Sequence, residues 1–211
     1  MSDGFFPKAI IKNIPPGSND PAIVPRLAIL HVSAGTGESL YPYFNGPSGG
    51  VESHFYIRLD GTVEQYRSIY VQADANLDAN DFAVSIETEG LGDGEWSTEQ
   101  LHSIKVLLVW LHRVAHITLE RCSAWDGVGV GYHTMFGAPG HWTPVAKTCP
   151  GPKRIKQFEL VIVPWMKGTN RPSAVDRARA LLGVAHQRAV AAGRTYRARQ
   201  IAKALSILPR H

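Results

Sequence analysis

The residues most able to do chemistry lie in four short runs. One is Ala146-Lys147-Thr148-Cys149-Pro150-Gly151-Pro152, a thiol in a rigid turn with an ammonium two positions away. The second is a histidine closing an apolar run, Leu27-Ala28-Ile29-Leu30-His31. The third sets a carboxylate in a strand-like run, Ala83-Val84-Ser85-Ile86-Glu87-Thr88-Glu89-Gly90, and the fourth is Gly129-Val130-Gly131-Tyr132-His133. Two imidazoles, a thiolate, a carboxylate and an ammonium are the inventory of an open zinc site that hydrolyses an amide.

Taken singly, each residue has a plainer reading. A histidine at a strand's C-terminal edge points into the crevice where α/β sheets hold their ligands, but a core histidine bonded to a backbone carbonyl fits His31 as well. Lys147 near Cys149 favours the thiolate, whereas a buried turn cysteine is only a small hydrophobe. Glu87, among Val84, Ile86 and Thr88, is costly to bury unless paired or ligated. Glu89 shares its face by the period of two and is its decoy.

The elements that must carry these residues are readable. Leu27 to Val32 reads as a buried strand, and Phe82 to Glu89 as another. Ser53 to Tyr66 alternates, with Phe55 and Ile57 on one face and His54, Tyr56 and Arg58 on the other. Asp60-Gly61 signals a tight turn, so this stretch predicts a hairpin. Ser97-Thr98-Glu99-Gln100 is a capping box. The helix behind it carries Leu101, Ile104, Leu108, Leu111 and Ala115 at helical spacing and should cover one face of a sheet. Val128 to Met135 predicts a short strand, and Arg154 to Trp165 a second helix. Residues 1–25, rich in Pro, Gly, Ser and Asn, predict a leader wrapping the domain. Residues 33–50 form a long loop holding Tyr41, Tyr43 and Phe44 beside the candidate site.

The bulk numbers bound the rest. In 211 residues, 44% hydrophobic and 19% charged, there is room for one domain and an appendage. The longest apolar run, Val106 to Leu111, is far too short to span a membrane. Met1-Ser2-Asp3-Gly4-Phe5-Phe6-Pro7-Lys8 has no apolar signal region, so synthesis in a cytoplasm is expected, with no signal peptide and no transmembrane segment. Cys122 and Cys149 do not make a disulfide scaffold, and Cys122 reads as a buried small hydrophobe. From Arg171 onward nine Lys/Arg face one Asp, a net of +8, while residues 1–170 carry a net of −4. That basic tail predicts a helical hairpin, Ala174 to Ala192 and then from Thr195, stopped by Gly193 and Pro209. Its arginines lack interleaved aromatics apart from Tyr196, so no specific nucleic-acid partner is expected. The domain reading is 1–167 for the catalytic body, with residues 1–22 as its wrap, and 168–211 for linker and basic hairpin.

From about residue 27 to residue 166 the chain resembles the zinc-dependent N-acetylmuramoyl-L-alanine amidases, a family that includes the peptidoglycan recognition domains. The amidase lysins of mycobacteriophages look most similar. Asn80-Asp81-Phe82-Ala83-Val84-Ser85-Ile86-Glu87-Thr88-Glu89-Gly90 looks like the segment carrying that family's proposed catalytic glutamate, at Glu87. Lys147-Thr148-Cys149-Pro150-Gly151-Pro152 looks like its lysine and third metal ligand, with cysteine where bacterial members have aspartate. His31 matches the first zinc histidine, and Ser53 to Gly61 the central hairpin. The resemblance implies an α/β fold, a central mixed sheet flanked by helices. It implies Zn2+ as cofactor, Glu87 as general base and Lys147 at the developing oxyanion. It implies cleavage of the bond between N-acetylmuramic acid and L-alanine, with bacterial cell-wall peptidoglycan as partner. A phage endolysin, monomeric, released to the wall once the membrane is opened, fits that reading.

Some points stay open on the residues. Some phage members carry a catalytic tyrosine before the hairpin histidine; here Ser53 stands there and cannot act as a phenol, which moves weight to Glu87. The second zinc histidine is His133, which ends a strand-like run, or His141, which lies eight residues before Cys149 in a Gly-His-Trp-Thr loop; His133 is favoured for its rigid mount. His54 is a supporting or structural residue. Tyr41, Tyr43 and Trp142 are candidates to line a glycan groove or to serve as core and loop packing. Two rival functions remain: a non-catalytic peptidoglycan-binding module, and a thiol hydrolase with Cys149 as nucleophile.

Overall fold

The computed structural model describes residues 3–15, 20–46 and 53–169, with 182, 185–186 and 200–204 in the C-terminal segment. The chain divides into two units, Met1–Lys167 and Gly168–His211. The predicted basic hairpin lies outside the described residues, apart from helical positions at 182, 185–186 and 200–204.

In the first unit six strands form one mixed sheet. They are β1 (Ile10–Ile11), β2 (Leu27–Leu30), β3 (Phe55–Ile57), β4 (Val63–Gln65), β5 (Ala83–Thr88) and β6 (Gly129–Tyr132), in the order β1-β4-β3-β5-β2-β6. Only the β3–β4 hairpin is antiparallel; β5, β2 and β6 run parallel side by side. Parallel strands are covered on both faces and so read as unbroken apolar runs, which is why all of β2 is buried. The hairpin closes through a loop from Arg58 to Thr62, in which Gly61 takes φ +83° and donates its N–H to the Arg58 carbonyl. It is wider than the two-residue turn that Asp60-Gly61 suggests.

The leader does more than wrap. Its β1 pairs with β4 as an edge strand, and Ile23 bonds the Tyr70 carbonyl. Two residues with no alternation to mark them left no strand signal. Between β2 and β3 the long loop contains a single helical turn, α1 (Tyr41–Phe44).

One face of the sheet is covered by helices. The Ser97 hydroxyl accepts the Gln100 N–H and the Gln100 side chain accepts the Ser97 N–H, so the capping box opens α2 (Thr98–Ala115) where expected. Its buried stripe is Ile104, Leu107, Leu108 and Leu111. Leu101 and Ala115 sit at its margin, and Gln100 turns inward to bond the Ile57 and Glu89 carbonyls. The second helix starts earlier and ends later than Arg154–Trp165. It runs as α3 (Pro152–Gln157), a π turn (Phe158–Ile162) and α4 (Val163–Thr169). Pro164 lacks an N–H and would clash with the turn before it; the π turn absorbs that mismatch. These helices bury Ala28, Leu30, Phe55, Ile57, Val84, Ile86 and Val130.

The opposite face is covered by loops. Leu27, Ile29 and Ala83 pack there with Phe82, Trp142 and Cys122. Each fully buried aliphatic or Phe side chain contributes about 1.5–3 kcal/mol. A one-residue slip of β2 would exchange its two apolar faces and every residue beyond them. The core therefore fixes the register on which the site depends.

Candidate metal centre

The site follows from that register. Leu30 pairs with Ile86 of β5 on one side and with Tyr132 of β6 on the other. The next residue on each strand is His31, Glu87 and His133. Parallel strands in register place such residues side by side on one face, a strand spacing apart. The backbone carries the alignment one step past β2: His31 N–H bonds the Ile86 carbonyl and His133 N–H the Leu30 carbonyl.

Cys149 arrives from the turn before α3. Its sulfur accepts the Val32 N–H at 3.3 Å and lies 4.0 Å from His31 Nδ1. The His31 and His133 rings are 4.3 Å apart between centroids. One donor atom from each of His31, His133 and Cys149 lies within 4.8 Å of the others.

Each histidine has one ring nitrogen already engaged. His133 Nε2 donates to the Trp142 carbonyl at 2.8 Å. His31 Nε2 lies 2.7 Å from Asn76 Oδ1, and the Asn76 amide nitrogen is spent on Ser85 Oγ at 2.6 Å. Both imidazoles are thereby held in the Nε2–H tautomer, which leaves Nδ1 as the lone-pair donor that metal-bound histidines require. Burial pushes both pKa values below the ordinary 6.5, His133 to about 4. Neither ring carries a positive charge near neutral pH.

Glu87 Oε1 is 3.9 Å from His31 Nδ1, and Oε2 is buried without a hydrogen-bond partner among the described residues. Burial raises this carboxyl from 4.5 to about 8, against the pull of Lys147. Cys149 behaves likewise in the metal-free protein: burial, then the nearby Glu87, pushes its thiol up to about 12. Lys147 opposes that shift but does not overcome it, so the expected thiolate is not stabilised by the lysine alone. Only a cation among these donors would reverse the balance.

The three donors and Glu87 line a cleft of about 800 Å³. Lys147 stands exposed at its edge, and Val32, Leu40, Tyr43 and Phe44 form an apolar wall. Three expected site residues stand elsewhere. His141 is exposed, stacked on Trp125 and paired with Asp78, and lies outside the donor cluster. Trp142 is core, its ring against the face of Gly131, where a Cβ would collide at 2.8 Å. Tyr41 packs towards Tyr66 and does not line the cleft. Ser53 does line it, but its hydroxyl donates to the Phe55 carbonyl. His54 Nδ1 accepts the Ser85 N–H and its Nε2 donates to the Val71 carbonyl, so both ring nitrogens are used. Asn76 and the Trp142 carbonyl went unforeseen; neither carries a sequence signal, since only the folded hydrogen bonds reveal them.

The sequence profile of the N-acetylmuramoyl-L-alanine amidases matches residues 20–152. The chain belongs to that family. No curated protein matches it, but solved structures do. The endolysin N-acetylmuramoyl-L-alanine amidase LysCS of Clostridium intestinale URNW superposes with a TM-score of 0.54 at 20% identity, covering 79% of this chain and 97% of that one. A selenomethionine derivative of AmpD gives 0.55 at 21% identity, covering 77% and 98%. The Drosophila peptidoglycan recognition protein SA gives 0.56 at 13% identity, covering 74% and 93%. At such identities the superpositions establish the amidase and recognition-protein fold. The family's sheet is the one that aligns His31, Glu87 and His133 here.

Proposed function

We propose that this amidase is zinc-dependent, hydrolyses the bond between N-acetylmuramic acid and L-alanine in peptidoglycan, and serves as an endolysin. The observation that carries the reading is the donor cluster beside the unpartnered Glu87 oxygen. Two neutral imidazoles and a thiolate are a donor set that zinc takes, and three protein donors rather than four mark a catalytic site. His31, His133 and Cys149 would hold the metal, which when bound polarises the scissile carbonyl and lowers the pKa of water to roughly 7.

The chain's own residues supply the proton traffic. Glu87 accepts a proton from the attacking water as its oxygen bonds to the lactyl carbonyl carbon. The same carboxyl returns that proton to the L-alanine nitrogen as the carbon–nitrogen bond breaks. A carboxyl with a pKa near working pH suits both halves of that duty. The Lys147 ammonium faces the charge that develops on the carbonyl oxygen. Tyr43 and Phe44 offer a flat apolar wall to the glycan or stem.

The test is release of new amino groups from purified mycobacterial-type peptidoglycan, with reducing ends counted in parallel. Release that stops with a chelator, returns with zinc and adds no reducing ends is the expected result. Wall binding without release, in zinc-loaded protein, would replace the enzyme with a recognition module.

A further inference from the structure

The segment Asn76–Asn80 touches the supports of both histidines. Asn76 is fully buried. Its backbone N–H bonds Asn80 Oδ1 at 2.7 Å, its amide nitrogen bonds Ser85, and its amide oxygen faces His31 Nε2. The next residue, Leu77, is held at φ +47°, a left-handed conformation that costs a non-glycine residue about 1–3 kcal/mol. A 3-10 turn, Leu77–Ala79, follows. Within it Asp78 meets the loop that supports the other histidine. Its N–H bonds the His141 carbonyl at 3.1 Å, and its carboxylate accepts from His141 Nδ1 at 2.9 Å. The residue after His141 is Trp142, whose carbonyl holds His133 Nε2. Trp125 completes the clasp, with its ring stacked 4.1 Å from His141 and its carbonyl on Trp142 Nε1.

We propose that Asn76–Asn80 is a positioning element. Asn76 sets the tautomer and aim of His31, and the Asp78–His141 clasp fixes the loop whose Trp142 carbonyl does the same for His133. The inference rests on the zinc reading above and assigns His141 a task outside the coordination sphere. An exposed ion pair contributes little to stability by itself. Its effect here is geometric, because a ligand imidazole that turns or changes tautomer no longer presents Nδ1 to the cation. Loss of such an outer partner typically weakens metal binding about 10- to 100-fold.

Zinc affinity measured by chelator competition on the full chain tests this, together with the visible spectrum of the cobalt-substituted protein. Asn76→Ala is expected to weaken zinc binding by about 10- to 100-fold and to shift the cobalt bands. Asn76→Asp, whose carboxylate still accepts from His31 Nε2, should restore affinity to within a few-fold of the parent. Because Asn76 is buried, the exposed pair supplies a second route. Asp78→Ala and His141→Ala should each weaken zinc binding about three- to ten-fold while keeping one zinc per chain, and the double variant should lose no more than either alone. Parent-like zinc affinity in folded Asn76→Ala, or additive losses from Asp78 and His141, overturns the inference. A parent chain that binds no zinc at all overturns the zinc reading instead, so the two failures are distinct.

Discussion

Strand β5 divides the sheet into two regions whose buried polar groups are treated in opposite ways. On the hairpin side the buried His54, Glu64 and Glu89 all find hydrogen-bond partners. His54 uses both ring nitrogens. Glu64 accepts from Lys12, Ser39 and Tyr66, and those bonds hold its carboxyl below the usual range despite burial. Glu89 accepts the Leu59 N–H and ties the hairpin down. On the β2–β6 side each group keeps a donor atom without a close hydrogen bond among the described residues: Nδ1 of His31, Nδ1 of His133, Oε2 of Glu87. Burial is similar in the two regions, so burial does not separate structural residues from chemical ones. Among these residues the open valence does, because an unsatisfied buried polar atom calls for something that completes it.

Removing an open-valence ligand should have the largest effect. His133→Ala is expected to lose stoichiometric zinc and all amidase activity, whereas His141→Ala keeps its zinc. Metal analysis of the two purified variants decides this, and the reverse outcome would move the coordination sphere to His141. Glu87→Gln comes next, with kcat down roughly 100- to 10,000-fold and zinc retained. The same change should stabilise the metal-free fold. Glu87 has a folded pKa of about 8 against 4.5 unfolded, so the folded state holds a proton that the unfolded state has released. Stability then falls as pH rises from about 4.5 to 8, and glutamine removes that loss, on the order of 3 kcal/mol at pH 7. Denaturant melts of both proteins at pH 5 and pH 7 read it; a gain no larger at pH 7 than at pH 5 would show Glu87 already paired.

Lys147→Ala should lower kcat about 100- to 1000-fold with fold and zinc unchanged. It also removes a lysine that draws the Glu87 carboxyl down. The acid limb of the pH–rate profile should therefore move to higher pH. An unaltered rate would leave Lys147 with no role at the oxyanion.

Much of this was legible before folding. Apolar runs at β2 and β5, the capping box at Ser97 and the alternation around Phe55 fix their elements, because each pattern is local. His31, Glu87, His133 and Cys149 were readable as a chemical inventory. The register that lines up three of them depends on strands distant in sequence, which no local pattern encodes. The edge strand β1 was missed because two residues carry no period. Trp142 could be read as groove or as core, and the structure makes it core, packed with Leu27 and Ile29 and against Gly131. The tail from Arg171 onward was read from its charge and its helix stop signals, and it lies almost wholly outside the described residues.

The smallest expected effect tests the saturated side of the comparison. Burial, aided by Arg67, lowers the His54 pKa from 6.5 to about 4, against the Val71 carbonyl. Protonation would set an Nδ1–H against the Ser85 N–H that Nδ1 now accepts. Between pH 6.5 and 4 the unfolded chain therefore binds a proton that the folded chain refuses. The stability is fully present above pH 6.5 and is lost as pH falls towards 4, on the order of 3 kcal/mol in all. His54→Asn keeps an acceptor near the Ser85 N–H but does not titrate. Its unfolding free energy in zinc-free protein should start lower at pH 7.5, yet fall less steeply on acidification, by about 1.4 kcal/mol per pH unit. His31 and His133 titrate in both proteins, so the difference in slope belongs to His54. Equal slopes would mean that His54 already shares a proton in the fold, and the contrast between spent and open valences would fail on this residue.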